Sequence, residues 1–482
     1  MVKKKKRISE RFNLNKSQFE LDFVDITLGK DTPLFIDSTL INKCNSEFSR
    51  RAHKTLDDYF KYLIGLLKRG YETDAKNIAS NLGEVNETFL GLSKNKPCGR
   101  GIGLIGAIAI FDRIRESKAI KTGYLTNIED LRIFVEGIDR DKISDMITNI
   151  IRFHLLKYTE EQCELHNIPM VEGVASGYYW NDTLHKWENK FVKRLVVDGK
   201  PVLLVPKNIV SFCMAYTPAK YKQFYILNYL QKENIEQKTE LVKYRKNEEP
   251  YVTKKSILDE SPFMDKEYFL AFTIKHPEIF ENFKRHSGNV KPLDGNLNSE
   301  IDSQVVCEFL IEELKNIPEG RENASRYHQI MIGIYELLLY PDLVNPRKEA
   351  EINDGRKRID IIFSNIAEQG YFNYIPERIN MSCPQLIIEC KNYKDDLNNP
   401  ELDQLAGRFS ISRGQIGIAS CRHLDNPELF FKRCADIYRD RHGFVIPITD
   451  NDIIRCLKKY DDAHTEFLVL LQEITDKIIQ LS

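Results

Sequence analysis

The sequence predicts an α/β protein. A mixed sheet flanked by helices is expected in the C-terminal part, preceded by a mainly helical module that carries a small β-rich segment. Three observations predict this. Short apolar runs alternate with capped helical stretches beyond residue 300. Tyr59-Phe60, Leu63-Ile64 and Leu66-Leu67 recur at helical spacing near the start. Between these regions, Tyr178 to Val205 is rich in aromatic and β-branched residues around Asp198-Gly199, a hairpin turn signal. The chain therefore divides into a helical module at 1–160, a β-rich and then charged helical segment at 161–285, a linker at 286–300 and a further domain at 301–482. The segment at 161–285 is expected to serve recognition or regulation.

The C-terminal elements follow in order. A helix is expected from Glu322 to Leu339, stopping before Pro341. Strands are expected near Lys348 to Ile352, Ile359 to Ser364 and Leu386 to Lys391, with Ala367 to Ser382 inserted as a hairpin or loop. Asn399 then caps a helix that has Pro400 at its first position and Glu401 in its first turn. Leu402, Leu405, Ala406 and Phe409 form its core face, and Gly414 ends it. Gln415 to Ser420 is the next strand. Asn426-Pro427 opens another helix, Gly443 closes it, Phe444 to Ile448 is the last strand, and a long helix completes the chain. Strand–helix–strand units of this kind imply parallel pairs with right-handed crossovers.

Two of these strands carry chemistry. In Pro384-Gln-Leu-Ile-Ile-Glu-Cys-Lys391, alternation puts Ile387, Glu389 and Lys391 on one face and Leu386, Ile388 and Cys390 on the other. The preceding apolar run, Arg358-Ile-Asp360-Ile-Ile-Phe363, holds one acid that could meet Glu389 across adjacent strands. Converging carboxylates repel unless a cation lies between them. Mg²⁺, with Mn²⁺ as its substitute, suits an all-oxygen site that also takes waters and a phosphate. Lys391 would orient the attacking water and offset transition-state charge. Glu-x-Lys alone carries little, because Glu116-Ser-Lys118 and Glu188-Asn-Lys190 also match it in polar, non-strand surroundings.

In combination, these residues resemble the PD-(D/E)xK, or restriction-endonuclease-like, nuclease superfamily over about residues 320 to 450. Asp360 matches its metal-binding Asp, and Glu389 with Lys391 matches its (D/E)xK pair. The element order resembles its αβββαβ core. Ile359 stands where the motif has Pro, and Ala367 to Ser382 is an insertion. The resemblance implies a metal-dependent endonuclease that hydrolyses DNA. It implies Asp360, Glu389 and Lys391 as catalytic residues and Glu336 as a third metal ligand. Gln404 and Arg408 would support the site, and Arg356, Arg358 and Arg408 would contact nucleic acid. Glu349 and Glu351 are alternatives to Glu336. By analogy alone, a role in prokaryotic restriction or anti-phage and anti-plasmid defence is expected, with a partner protein and with a homodimer or higher oligomer for duplex cutting. An RNA nuclease with the same site, and a decayed nucleic-acid-binding scaffold, are the alternatives.

The bulk numbers fit this without demanding it. Lys and Arg total 70 against 71 Asp and Glu, so any basic surface must be local. Lys3 to Arg7 is a run of five cations, read as a solvated terminus. The ten cysteines contain no C-x-x-C pair, which suits a reducing compartment, and no apolar run is long enough for a bilayer, so a cytoplasmic, non-membrane protein is expected. No G-x-x-x-x-G-K-[ST] motor motif occurs. Gly99 to Gly106 contains G-x-G-x-x-G without a preceding strand and reads as backbone packing. Asp141, Asp145 and Asn149 share a helix face, read as a dipole-favoured start. Tyr221, Tyr225, Tyr229 and nearby lysines read as a helical scaffold.

Overall fold

The computed structural model describes residues 6–91, 101–211, 217–245, 249–287, 303–348, 361–394 and 399–482. Two apolar clusters organise them. One spans Ile8 to Phe283, and the other gathers Val306 to Ile478 together with Leu165. Most of the expected linker, 288–300, lies outside the described residues.

In the N-terminal cluster, helix α1 (Glu47–Lys68) buries Ala52, Leu56, Tyr59, Phe60, Leu63 and Ile64 along one stripe. Ser46 caps it, its hydroxyl accepting from the Ser49 amide. Helices α2 (Arg140–Ile150) and α3 (Arg152–Leu165) follow end to end. The β-rich segment is a set of two-stranded ribbons rather than one sheet. Strand β1 (Val171–Ala175) pairs antiparallel with β2 (Phe191–Arg194), and Tyr179–Asn181 pairs with Lys186–Glu188. Val196-Val197 pairs with Lys200-Pro201 around Asp198 and Gly199, whose φ angles of 49° and 74° are those of a tight hairpin turn. The aromatic segment from Thr217 onward is helical, and Tyr221 is buried against Phe269, Phe280 and Phe283.

The C-terminal cluster surrounds a five-stranded mixed sheet. Helix α4 (Ala324–Leu339) leads into β3 (Leu343–Lys348), then β4 (Ile361–Asn365), α5 (Tyr371–Arg378), β5 (Gln385–Lys391), α6 (Asn399–Ala406), β6 (Ile416–Cys421), α7 (Pro427–Arg439), β7 (Phe444–Thr449) and the closing α8 (Ala463–Leu481). The spatial order is β3-β4-β5-β6-β7. The first two pairings are antiparallel and the last two parallel. β6 is buried throughout, as a strand covered on both faces must be. Asn426 caps α7 through the Leu429 amide, with Pro427 at its first position.

Three expectations are corrected. The first strand of the sheet already begins at Leu343 and runs to Lys348, and 349–352 lie outside the described residues. Helix α6 ends at Ala406, so Phe409 and Arg408 belong to the turn beyond it, which closes at Gly414 with φ 141°. A Cβ there would overlap the Gln385 carbonyl. The insertion holds a helix, α5, where a hairpin or loop was expected. Tyr371, Phe372 and Ile375 supply it with a buried face. Pro376 inside α5 cannot donate to the Phe372 carbonyl, and the Asn365 side-chain amide does so instead at 3.0 Å.

The same Asn365 amide donates to the Cys383 carbonyl at 2.9 Å, and its oxygen accepts from the Ala367 amide at 3.1 Å. Asn365→Ala should therefore destabilise the protein by about 2 kcal/mol, since partly buried carbonyls lose their donor. The midpoint of urea unfolding followed by circular dichroism checks this.

Candidate active site

β5 is the central strand, hydrogen-bonded to β4 on one edge and β6 on the other. Leu386, Ile387 and Ile388 are fully buried. Cys390 lies within electrostatic reach of Tyr327 and Tyr335, and its carbonyl meets His328 Nε2 at 2.7 Å. All three partners are on α4, so the Leu386–Ile388–Cys390 face looks toward that helix. By alternation, Glu389 and Lys391 face the other way.

Glu389 is 3% exposed. Its Oε1 lies 2.5 Å from Lys391 Nζ, and its Oε2 accepts from Arg408 Nη1 at 2.6 Å. A buried carboxylate is tolerated only with such compensation. Lys391 sits at the strand's end, its side chain 14% exposed and its Nζ 5.9 Å from the Tyr393 ring centre. An ammonium has three donors. Lys391 can thus hold Glu389 and still donate to a water or phosphate oxygen at the mouth of the site. The turn after α6 brings Arg408 inward onto Glu389, where it is buried. Gln404, one turn earlier on α6, is half-buried.

Asp360, Arg356 and Arg358 lie outside the described residues, as do Glu349 and Glu351. Ile361, the covalent neighbour of Asp360, pairs across the sheet with Ile388, the neighbour of Glu389. Among the described residues, no group of three or more His, Cys, Asp or Glu side chains is placed to hold a metal.

Glu336 is placed elsewhere. It lies on α4, 3% exposed, and its charged neighbours are Lys16, Lys207, Asp22 and Glu20 from the N-terminal module. His166 Nε2 is 3.7 Å from its Oε1. The reason is the packing of α4, which presents Tyr327 and Tyr335 toward Cys390 and turns Glu336 to the other module. Burial pushes the Glu336 carboxyl well above its ordinary range, against the pull of Lys16 and Lys207. The Asp139 cluster is also structural. Asp139 caps α2 through the Lys142 amide, Asp145 accepts from the Val85 amide at 3.2 Å, and Asn149 donates to the Gly83 carbonyl at 2.6 Å.

Sequence reasoning missed one charged group beside the sheet. Asp450, at the carboxyl end of β7, accepts from the Tyr327 hydroxyl at 2.8 Å and lies 3.1 Å from Arg422 Nε at the end of β6. Burial raises its carboxyl to about 6, though Arg422 opposes this. The group ties α4 to the ends of the parallel strands. Its only trace in the sequence is that each charge directly follows an apolar run.

A family described as a domain of unknown function (DUF8370) matches residues 13–217. That span covers the helical module and the ribbons and stops before the sheet. No curated protein and no solved structure matches the chain. Among the described residues, no helix is long and apolar enough to cross a membrane.

The raised Glu336 carboxyl gives a pH signature. A carboxyl whose folded value exceeds its unfolded value favours the folded state fully below the unfolded value, about 4.3. That contribution is lost as pH rises toward the folded value. Glu336→Gln removes the titration. Its unfolding free energy relative to wild type should therefore rise steadily between about pH 5 and 8. Paired urea titrations across that range check it, and a constant difference would contradict the assignment.

Proposed function

We propose that the chain is a metal-dependent nuclease acting on DNA, with a PD-(D/E)xK-like site made by Asp360, Glu389 and Lys391. The observation that carries this reading is the pairing of a buried Glu389 with Lys391 on the central strand, 2.5 Å apart on one face. The β4–β5 register supports it. Ile361, next in sequence to Asp360, is paired with Ile388, next in sequence to Glu389. The order α4-β3-β4-α5-β5-α6-β6 supports the same reading, since with α5 taken as an insertion it resembles the αβββαβ arrangement of that superfamily.

On this reading Asp360 and Glu389 hold Mg²⁺, and Mn²⁺ can replace it. The ion supplies Lewis-acid polarisation of the scissile phosphate and stabilises the leaving oxygen when bound. Glu389 would offer its carboxylate oxygens to the ion, with Oε2 also held by Arg408. Lys391 shifts one donor from Glu389 to the attacking water, orients it at the phosphorus and offsets charge on the pentacovalent transition state. Arg356 and Arg358, close in sequence to Asp360, would contact the nucleic-acid backbone. The superfamily's usual roles make restriction or defence against foreign DNA the biological setting, with a dimer cutting the duplex.

Purified protein incubated with plasmid DNA, single-stranded DNA and RNA should cleave DNA in Mg²⁺ or Mn²⁺ and not in EDTA. Asp360→Ala and Lys391→Ala should each lower the cleavage rate by at least ~100-fold. Equal rates in wild type and both variants would remove this site assignment, and cleavage of RNA alone would change the substrate.

A further inference from the structure

A second feature lies in the N-terminal module, away from Glu389. A groove of about 500 Å³ runs between α1, α3 and the β1–β2 ribbon, within the ~300–1,000 Å³ range typical of small-ligand sites. Arg51, Lys54, Lys157, Lys190 and Lys193 line it, against the carboxylates of Glu160 and Asp182. Some of these cations are partnered. Arg51 lies 2.6 Å from Glu47, Lys54 lies 4.0 Å from Asp182, and Lys190 lies 3.0 Å from Glu188. Lys157 and Lys193 are exposed and form no ion pair among the described residues. Lysines without an ion pair on two elements that line one groove raise its local potential for an anion.

The groove also offers an aromatic face. Phe153 is 48% exposed, at a position where α3 could have carried any polar residue. Its ring packs 5.1 Å from that of Tyr179, which is buried and holds it in place. Lys190 Nζ lies 5.9 Å from the Tyr179 ring centre. The floor is polar, the Thr55 hydroxyl donating to the Asp182 carboxylate at 3.4 Å. Thr55 and His154 Nε2 are 2.9 Å apart, and burial lowers the His154 imidazole to about 4, leaving it neutral at physiological pH. Cationic side chains, an exposed ring braced from behind and polar hydrogen-bonding groups suit a phosphorylated, base-bearing ligand. A neutral sugar can stack on the ring but gives the lysines no anion to pair with.

We propose that this groove binds a nucleotide unit, its phosphate against Lys157 and Lys193 and its base stacked on Phe153. The unit comes either from a single strand of nucleic acid or from a free nucleotide. The groove shares no residue with the Glu389 site, so the proposal stands independently of the nuclease reading.

The test uses the full chain carrying Lys391→Ala, in EDTA, so that strands survive. Fluorescence anisotropy measures binding of labelled single-stranded DNA and RNA, and calorimetric titration measures ATP and AMP. Saturable binding is expected in one arm, and that arm names the source. The pair Lys157→Gln/Lys193→Gln and the single Phe153→Ala should each weaken it roughly tenfold. If a strand is the ligand, the lysine pair should also flatten the slope of log affinity against log salt by about 1.4. Lys232→Gln, an exposed lysine outside the groove, should change nothing. The substituted side chains are at the surface, and unchanged thermal unfolding would show the variants folded. Undiminished affinity in both groove variants, or no binding of strands and nucleotides alike, overturns the proposal.

Discussion

The buried charges between the two modules govern how the rest of the chain sits. Asp22, Lys207 and Glu336 are each less than 4% exposed, and Lys16 and Glu20 lie beside them. Removing such groups from water costs several kcal/mol apiece unless each finds a partner. No single segment provides those partners. Asp22 accepts from the Tyr158 hydroxyl at 2.6 Å and from the Asn345 amide at 2.9 Å. Lys207 comes from beyond the ribbons and lies over the Tyr340 ring. The junction therefore forms only when α3, the start of the chain and the first strand of the sheet are together. β3 is shaped by this demand. Asn345 takes a φ of 52°, and the β3–β4 register shifts between Val344 and Arg347. An amide that donates to Asp22 cannot also continue the ladder, so the strand bulges there.

The same logic applies inside the sheet. A glutamate on the central strand has no route to water except past the strand's end, and Lys391 occupies that end. Arg408 reaches Glu389 from the other side, from a turn rather than a helix. That turn is fixed at its base by Gly414 pressed against the Gln385 carbonyl, so the guanidinium is anchored to the very strand it serves. A carboxylate held by two cations in a packed interior is expensive as a stabilising device, since apolar residues fill such a position at least as well. Such clusters of buried charge gather at functional sites, which is why the proposed site is placed at Glu389.

Much of the sheet was legible in the sequence because its strands are short, nearly unbroken apolar runs with caps between them. Asn426-Pro427 and Asp198-Gly199 act through local geometry alone, and each did what that geometry dictates. Helix α5 was illegible because its Pro376 argues against a helix, and the compensating donor, Asn365, belongs to a neighbouring strand. Glu336 shows a different failure. Its position on α4 is readable from periodicity, but which surface that face meets depends on Lys16, Lys207 and His166, none near it in sequence. Phe153 and the lysines of the groove likewise come from three separate elements, and alternation or helical spacing within any one of them gives no sign that they converge.

Glu47 links the groove wall to the sheet. Its carboxylate lies 2.6 Å from Arg51, on the groove wall, and 3.1 Å from Arg347, on β3. Burial pushes this carboxyl upward, but the two arginines outweigh burial and hold it below its ordinary range. β3 is hydrogen-bonded to β4, and β4 to the strand of Glu389 and Lys391. The helical module is therefore in electrostatic contact with the sheet through one carboxylate shared between two arginines.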